Sequence, residues 1–175
     1  CSDHNWLNDA DASAQSSEAK MPAFVAIGRF LFSVIFIFSG ASKLLDLTAT
    51  AQSITDKVVL PAVLAGYTSQ IEGATGMPMA QLLAIAAGAL ELIGGLLIAI
   101  NFGARFFAIL LIFFVVAATV YFHDFWNQTG AEAKGNMIQA LKNLSIIGGL
   151  FIIAGIGRSP RLPEPVYTEP ASHTF

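Results

Sequence analysis

Four apolar stretches, each long enough to cross a lipid bilayer, dictate what this chain can fold into. They run from about Phe24 to Leu45, Met79 to Ile100, Ala104 to Phe122 and Met137 to Ile156. At about 1.5 Å rise per residue the first covers roughly 33 Å, which matches a hydrocarbon core of about 30 Å. Lipid cannot satisfy free backbone N–H and C=O groups, so each stretch must be a helix. Apolar residues surround the first segment instead of forming the one-sided stripe of a surface helix. Composition points the same way: 55% of residues are hydrophobic and 12% charged, about half the charged share of a soluble domain. The expected fold is all-α, an integral membrane four-helix bundle with a long first loop and extended polar tails.

Three segments are expected. Residues 1–20 form a polar N-terminal tail with little to bury, expected to be disordered or adsorbed. Residues 21–157 form the transmembrane domain. Residues 158–175 hold Pro160, Pro163, Pro165 and Pro170, a density that opposes helix and leaves the tail either disordered or an extended strap lying on a partner. The sole cysteine, Cys1, excludes an internal disulfide. It is either a lipidation site or part of a segment preceding a true start at Met21. Cys1 to Lys20 lacks the apolar core of a signal peptide.

Between the first two spans, residues 46–78 form a long connection whose apolar piece is too short to cross. Within them KVVLPAVLAGY, broken by Pro61, reads as a re-entrant or interfacial helix. Asn101-Phe102-Gly103 is a tight turn with a helix-stopping glycine, and Pro78 suits the first turn of the second span. An even number of spans puts both ends on one face. Lys20, Arg29, Arg105, Arg158 and Arg161 lie toward that face, and Lys43, Lys57, Lys134 and Lys142 toward the other. Five against four weakly favours cytoplasmic ends.

An ionisable residue inside a span costs about 2.5–3.5 kcal/mol on insertion scales, so it needs a reason. Glu91 falls near the middle of the second span. It shares a helical face with Ala84, Gly88 and Gly95, whose small size invites close helix packing. Glu91 is therefore expected to point into the bundle, either locking two helices or serving a site. Gly148, Gly149 and Gly155 suggest a similar packing face on the fourth span. Topology brings Lys43, His123, Asp124, Lys142 and Asn143 into one layer near the non-terminal face. Ser39 lies one turn below Lys43, and Thr119 one turn below His123. Together with Glu91 these form a candidate polar pocket, although either lysine taken singly could snorkel to water. Arg29 and Arg105 lie in the opposite layer and read as structural or phosphate-contacting. No catalytic residue is assigned. No metal site is expected, because His4, His123 and His173 lack ligand spacing. The scattered basic residues give no nucleic-acid footprint.

Several pieces, in this order, resemble the DoxX family of small bacterial membrane proteins. They are IGRFLFSVIFIFSGASKLLD, GMPMAQLLAIAAGALELIGGLLIAINFGAR, ATVYFHDFW and IQALKNLSIIGGL, spread over about residues 27–156. Arg29, Gly40, Lys43, Glu91, His123 and Lys142-Asn143 fall at positions matching the family's pattern. The two ends and the long 46–78 loop lie outside it. The resemblance implies a multi-pass protein of the bacterial inner membrane, linked to oxidoreductase systems.

Three functions compete. One is a membrane subunit of a respiratory or redox-associated complex that contacts quinone. Lys43, His123 and Lys142 would then donate hydrogen bonds, and Glu91 with Asp124 would relay protons. Another is a structural or assembly subunit, its tails strapped to other subunits of a larger membrane complex. The third is a small proton-coupled transporter with Glu91 as its coupling site. No covalently bound cofactor is expected in any of them.

Overall fold

The computed structural model describes the backbone of residues 5–156 and the side chains of residues 23–155. All regular structure in this range is helical. Helix α1 spans Asn5–Leu45, α2 Leu47–Lys57, α3 Ala65–Thr75, α4 Met79–Ala99, α5 Ala104–Phe122 and α6 Gly130–Ile156. Short 3₁₀ turns sit at Ala62–Leu64 and Phe125–Asn127. Among the described residues, four helices are long and apolar enough to cross a membrane.

Their bounds follow from local chemistry. The first membrane-crossing segment is Ala23–Leu45. Its helix continues back to Asn5, through residues expected to be irregular. That polar stretch contains Ala, Glu, Gln and Lys, and elongating an existing helix avoids the unfavourable nucleation step. Cys1 and the Pro-rich residues 158–175 lie outside the described residues, along with the expectations placed on them.

The turn between α4 and α5 is tight because two of its residues enter the left-handed region, Asn101 at φ 61° and Gly103 at φ 58°. Pro78 caps the start of α4 with extended backbone, as its missing N–H allows. The Glu72 carboxylate reaches across to accept the Met79 N–H at 2.6 Å, satisfying one free donor of that helix end.

The 46–78 connection differs from expectation. KVVLPAVLAGY is not one helix: it runs from the last residue of α2, through a break, into the first turn of α3. α2 ends at Lys57, the chain is extended at Val58, and Pro61 opens the short 3₁₀ turn that leads into α3. Proline fixes its own φ and disfavours helix in the residue before it, which accounts for the interruption. α2 begins where the Asp46 side chain accepts the Ala49 N–H at 3.1 Å. It packs against α4.

α6 starts at Gly130, seven residues before the expected Met137. The segment AEAK is rich in helix formers, and Gly130 at φ 67° lets the chain turn into the helix.

The helices pack α1 on α4, α4 on α5 and α5 on α6. Without a hydrophobic drive in lipid, close backbone approach supplies the attraction. The closest approach is between α1 and α4 at Gly40. A Cβ there would fall on the Leu92 backbone N–H and 2.6 Å from the Gly88 carbonyl oxygen. Gly88 and Gly95 face α1 as well, and Gly94 faces Leu111 of α5. Of the three glycines expected to pack on α6, Gly149 does: the Phe32 ring lies against it. Gly148 and Gly155 have open space where a Cβ would stand.

Phe36, Ile98, Ala104, Ala108, Leu111, Val115, Leu150 and Ile153 form a continuous buried core. Most of them lie toward the end of the bundle where α1 enters and α6 leaves. The outward surface is apolar, with Phe24, Phe38 and Phe113 each at least 70% exposed. A surface of that kind requires lipid as its solvent.

Candidate functional site: an intramembrane cavity with two polar walls

Toward the opposite end the bundle is hollow. A cavity of about 730 Å³ lies among α1, α2, α4, α5 and α6. Phe36 and Val115 belong both to the buried core and to the cavity wall, so the packed half is its floor. Thr50, Ser53 and Ile54 of α2 line it, together with Val58 just beyond. Much of the remaining wall is apolar, including Phe114, Tyr121 and Phe122.

Glu91 occupies the α4 side of this cavity, with its side chain only 6% exposed. The glycine face that brings α4 against α1 also carries Glu91 to α1. There Ser39 Oγ donates to Glu91 Oε1 at 3.1 Å. Lys43 Nζ donates to Ser39 Oγ at 2.6 Å and lies 2.6 Å from Glu91 Oε2. The Oε2 contact is an ion pair and not a hydrogen bond. One turn of α1 thus supplies both a hydroxyl and an ammonium to a single buried carboxylate. Such a pair at depth offsets the desolvation of each charge, provided that both are present. Lys43 is 30% exposed and lines the cavity, so the ion pair forms part of its wall.

The α5–α6 side is built differently. The Thr119 hydroxyl donates to the Val115 carbonyl at 2.7 Å and accepts from Asn143 Nδ2 at 2.9 Å. Asn143 lines the cavity, and so does His123, which follows the last turn of α5. His123 Nδ1 lies 3.1 Å from Asn136 Oδ1, and Asn136 Nδ2 donates to Gln128 Oε1 at 2.6 Å. Gln128 Nε2 in turn donates to Asp124 Oδ1 at 3.1 Å.

Four of the six candidate pocket residues therefore line one cavity: Lys43, Glu91, His123 and Asn143. Asp124 does not line it; its carboxylate instead anchors the side-chain chain behind His123. A direct Glu91–Asp124 relay has no geometric support. Lys142 is exposed and absent from the cavity wall. Successive helical residues are about 100° apart, so turning Asn143 inward turns Lys142 outward. Arg105 is exposed, and Arg29 is half-buried with its backbone carbonyl accepting from the buried Ser33 hydroxyl at 2.7 Å.

Sequence reasoning placed Ser39 beside Lys43 but missed Asn136, Gln128 and the α2 wall. Helix-forming AEAK ahead of Asn136 carried the missing signal. It extends α6 by almost two turns and brings that asparagine level with His123.

Comparison with known proteins agrees with this architecture. The DoxX family model matches residues 24–124, which hold the first three membrane-crossing segments up to the His123-Asp124 pair. The match is narrower than the resemblance read over residues 27–156. A curated relative, inner membrane protein YphA of Escherichia coli strain K12, is 31% identical over 139 residues. That alignment covers 79% of this chain and 86% of the relative. No solved structure matches. The chain is a four-span inner-membrane protein and belongs to the DoxX family.

Proposed function

We propose that this protein is a membrane subunit of a bacterial redox-associated complex, and that its cavity holds the ring of a quinone-type lipid. The observation that carries the reading is a polar wall, Lys43–Ser39–Glu91, facing a largely apolar and aromatic cavity at membrane depth. Small-molecule sites are apolar clefts of about 300–1,000 Å³ with a few convergent polar groups, and this cavity has that character. Phe114, Tyr121 and Phe122 offer faces for a flat ring. The Lys43 ammonium has three protons, of which one is donated to Ser39, so it keeps donor capacity for a ring oxygen beside its ion pair with Glu91. Reduction of such a ring takes two electrons, supplied in this reading by an oxidoreductase partner, and two protons.

Titration of the purified protein with a short-chain ubiquinone, followed by aromatic fluorescence, tests the reading. Saturable quenching is expected, and Ala118→Trp, which fills the cavity, should abolish it. Lys43→Met should weaken it about tenfold, the equivalent of one charge-assisted hydrogen bond. Equal quenching in wild type and both variants would place the ring elsewhere and end the proposal.

A further inference from the structure

The side chains behind His123 form a directional series, and its direction has chemical content. A carboxylate only accepts hydrogen bonds. The Asp124 carboxylate therefore receives the Gln128 amide N–H₂, which turns the Gln128 carbonyl toward Asn136. That carbonyl receives the Asn136 N–H₂, which leaves the Asn136 carbonyl for the imidazole. A carbonyl also only accepts, so the ring nitrogen facing it, Nδ1, must carry a proton. In the neutral ring Nε2 is then a bare acceptor. Among the described residues no side chain or backbone group bonds Nε2, and His123 lines the cavity. The anchor is the charged group at the far end, so the assignment does not depend on choosing any one amide orientation freely.

The geometry points to Asn136 and Gln128 as positioning residues that hold His123 in its Nδ1–H form and make Nε2 the cavity's hydrogen-bond acceptor. This gives the site a polarity. Lys43 on the α1 side offers a donor, and His123 on the α5–α6 side offers an acceptor. Asn143 adds to the acceptor side: the Thr119 proton is spent on Val115, so the Asn143 amino group must face Thr119. A ligand suited to both walls has an oxygen that accepts at one end and an O–H that donates at the other. That is the reduced, dihydroxy form of a quinone-type ring, whereas the oxidised form has only carbonyl acceptors. This inference rests on the reading of the cavity as a ring-binding site. It deepens that reading by assigning a preference for the reduced ligand.

Two measurements separate its parts. The first needs no ligand: ¹⁵N–¹H correlation spectra of histidine-labelled protein in nanodiscs at alkaline pH, with His123→Gln to assign the signals. A pyrrole-like Nδ1 and a pyridine-like Nε2 are expected. Asn136→Ala should return the ring to the Nε2–H form that imidazole favours in water, and Asn136→Asp, which keeps an acceptor oxygen, should restore Nδ1–H. A pyrrole-like Nε2 in the wild type would overturn the assignment.

The second measurement is anaerobic titration with a short-chain ubiquinol and with the matching ubiquinone. Tighter binding of the quinol is expected, with Asn136→Ala lowering the quinol-to-quinone affinity ratio about tenfold, the worth of one hydrogen bond. Equal affinities alongside the Nδ1–H signature would overturn the preference. Binding of neither form would remove the ring-ligand reading, and the preference with it, while the spectra still decide the tautomer.

Discussion

The two halves of this bundle use the same four helices for opposite ends. Where α1 enters and α6 leaves, Leu111, Leu150 and Ile98 are fully buried and the helices close around Ala104 and Ala108. At the other end α1 and α4 stay in contact at Gly40, while α5 and α6 stand off to leave a cavity lined in part by polar residues. Small residues occur in both halves and behave differently. Ala108 is fully buried in the packed half, whereas Ala87 and Ala118 leave space in the hollow one. Small side chains draw helices together only where backbone can meet backbone or a large partner fills the gap. Elsewhere they make room. The packed half holds the helices in place, so the hollow half need not collapse.

The largest effect expected on this contrast comes from the ion pair that reaches from one wall of the cavity into a helix contact. Lys43→Met leaves the Glu91 carboxylate buried without its cation, and should destabilise the protein by about 3–5 kcal/mol. Lys43→Met with Glu91→Leu should recover most of that loss while ligand binding stays weakened. Thermal unfolding in detergent compares the three proteins. A double variant no more stable than the single would mean that the pair itself, and not charge burial, holds α1 to α4.

Leu111→Ala in the packed half removes contacts that neighbours cannot refill, and should cost about 2–3 kcal/mol. Leu83→Ala, in the cavity wall, should cost less than half as much in the same assay, since space already lies beside it. Equal losses would show that the hollow half is packed in solution. Ala118→Leu sharpens the contrast from the other side. Filling the void should change stability by less than about 1 kcal/mol and still reduce quinone binding, which fluorescence titration measures. The smallest effect belongs to Lys142→Ala. It points away from both regions and should shift stability by under about 0.5 kcal/mol, with ligand affinity unchanged.

The apolar spans and their inward faces were the easier part to read in the sequence. Long apolar runs must be helices in lipid, and small residues beside Glu91 at helical spacing show which face of α4 turns inward. Glu91, Ala84, Gly88 and Gly95 are all buried as that logic required. Lys43 was found by depth alone. The hollow half was harder because it depends on segments that hydropathy scores as polar. The helix over Leu47–Lys57 gives no strong apolar signal, yet it walls the cavity with Thr50, Ser53 and Ile54. Residues 130–136 look like loop by hydropathy and like helix by propensity, and propensity prevailed. Asn143 falls in the expected layer and lines the cavity, whereas Lys142 falls in the right layer but on the wrong side. Layer depends on counting from a helix end, whereas side depends on which neighbour each residue meets.

The bridge between α1 and α4 also bears on how the chain enters the bilayer. Lys43 is synthesised first, near a helix end where its long side chain can wait at the headgroups. Glu91 follows near the middle of a later span and has no such refuge. Its burial in hydrocarbon costs less when the earlier ammonium is there to receive it, so the pair favours α4 settling beside α1. Charge complementarity thereby adds a pairing preference between the first two spans to the contacts made by their small residues.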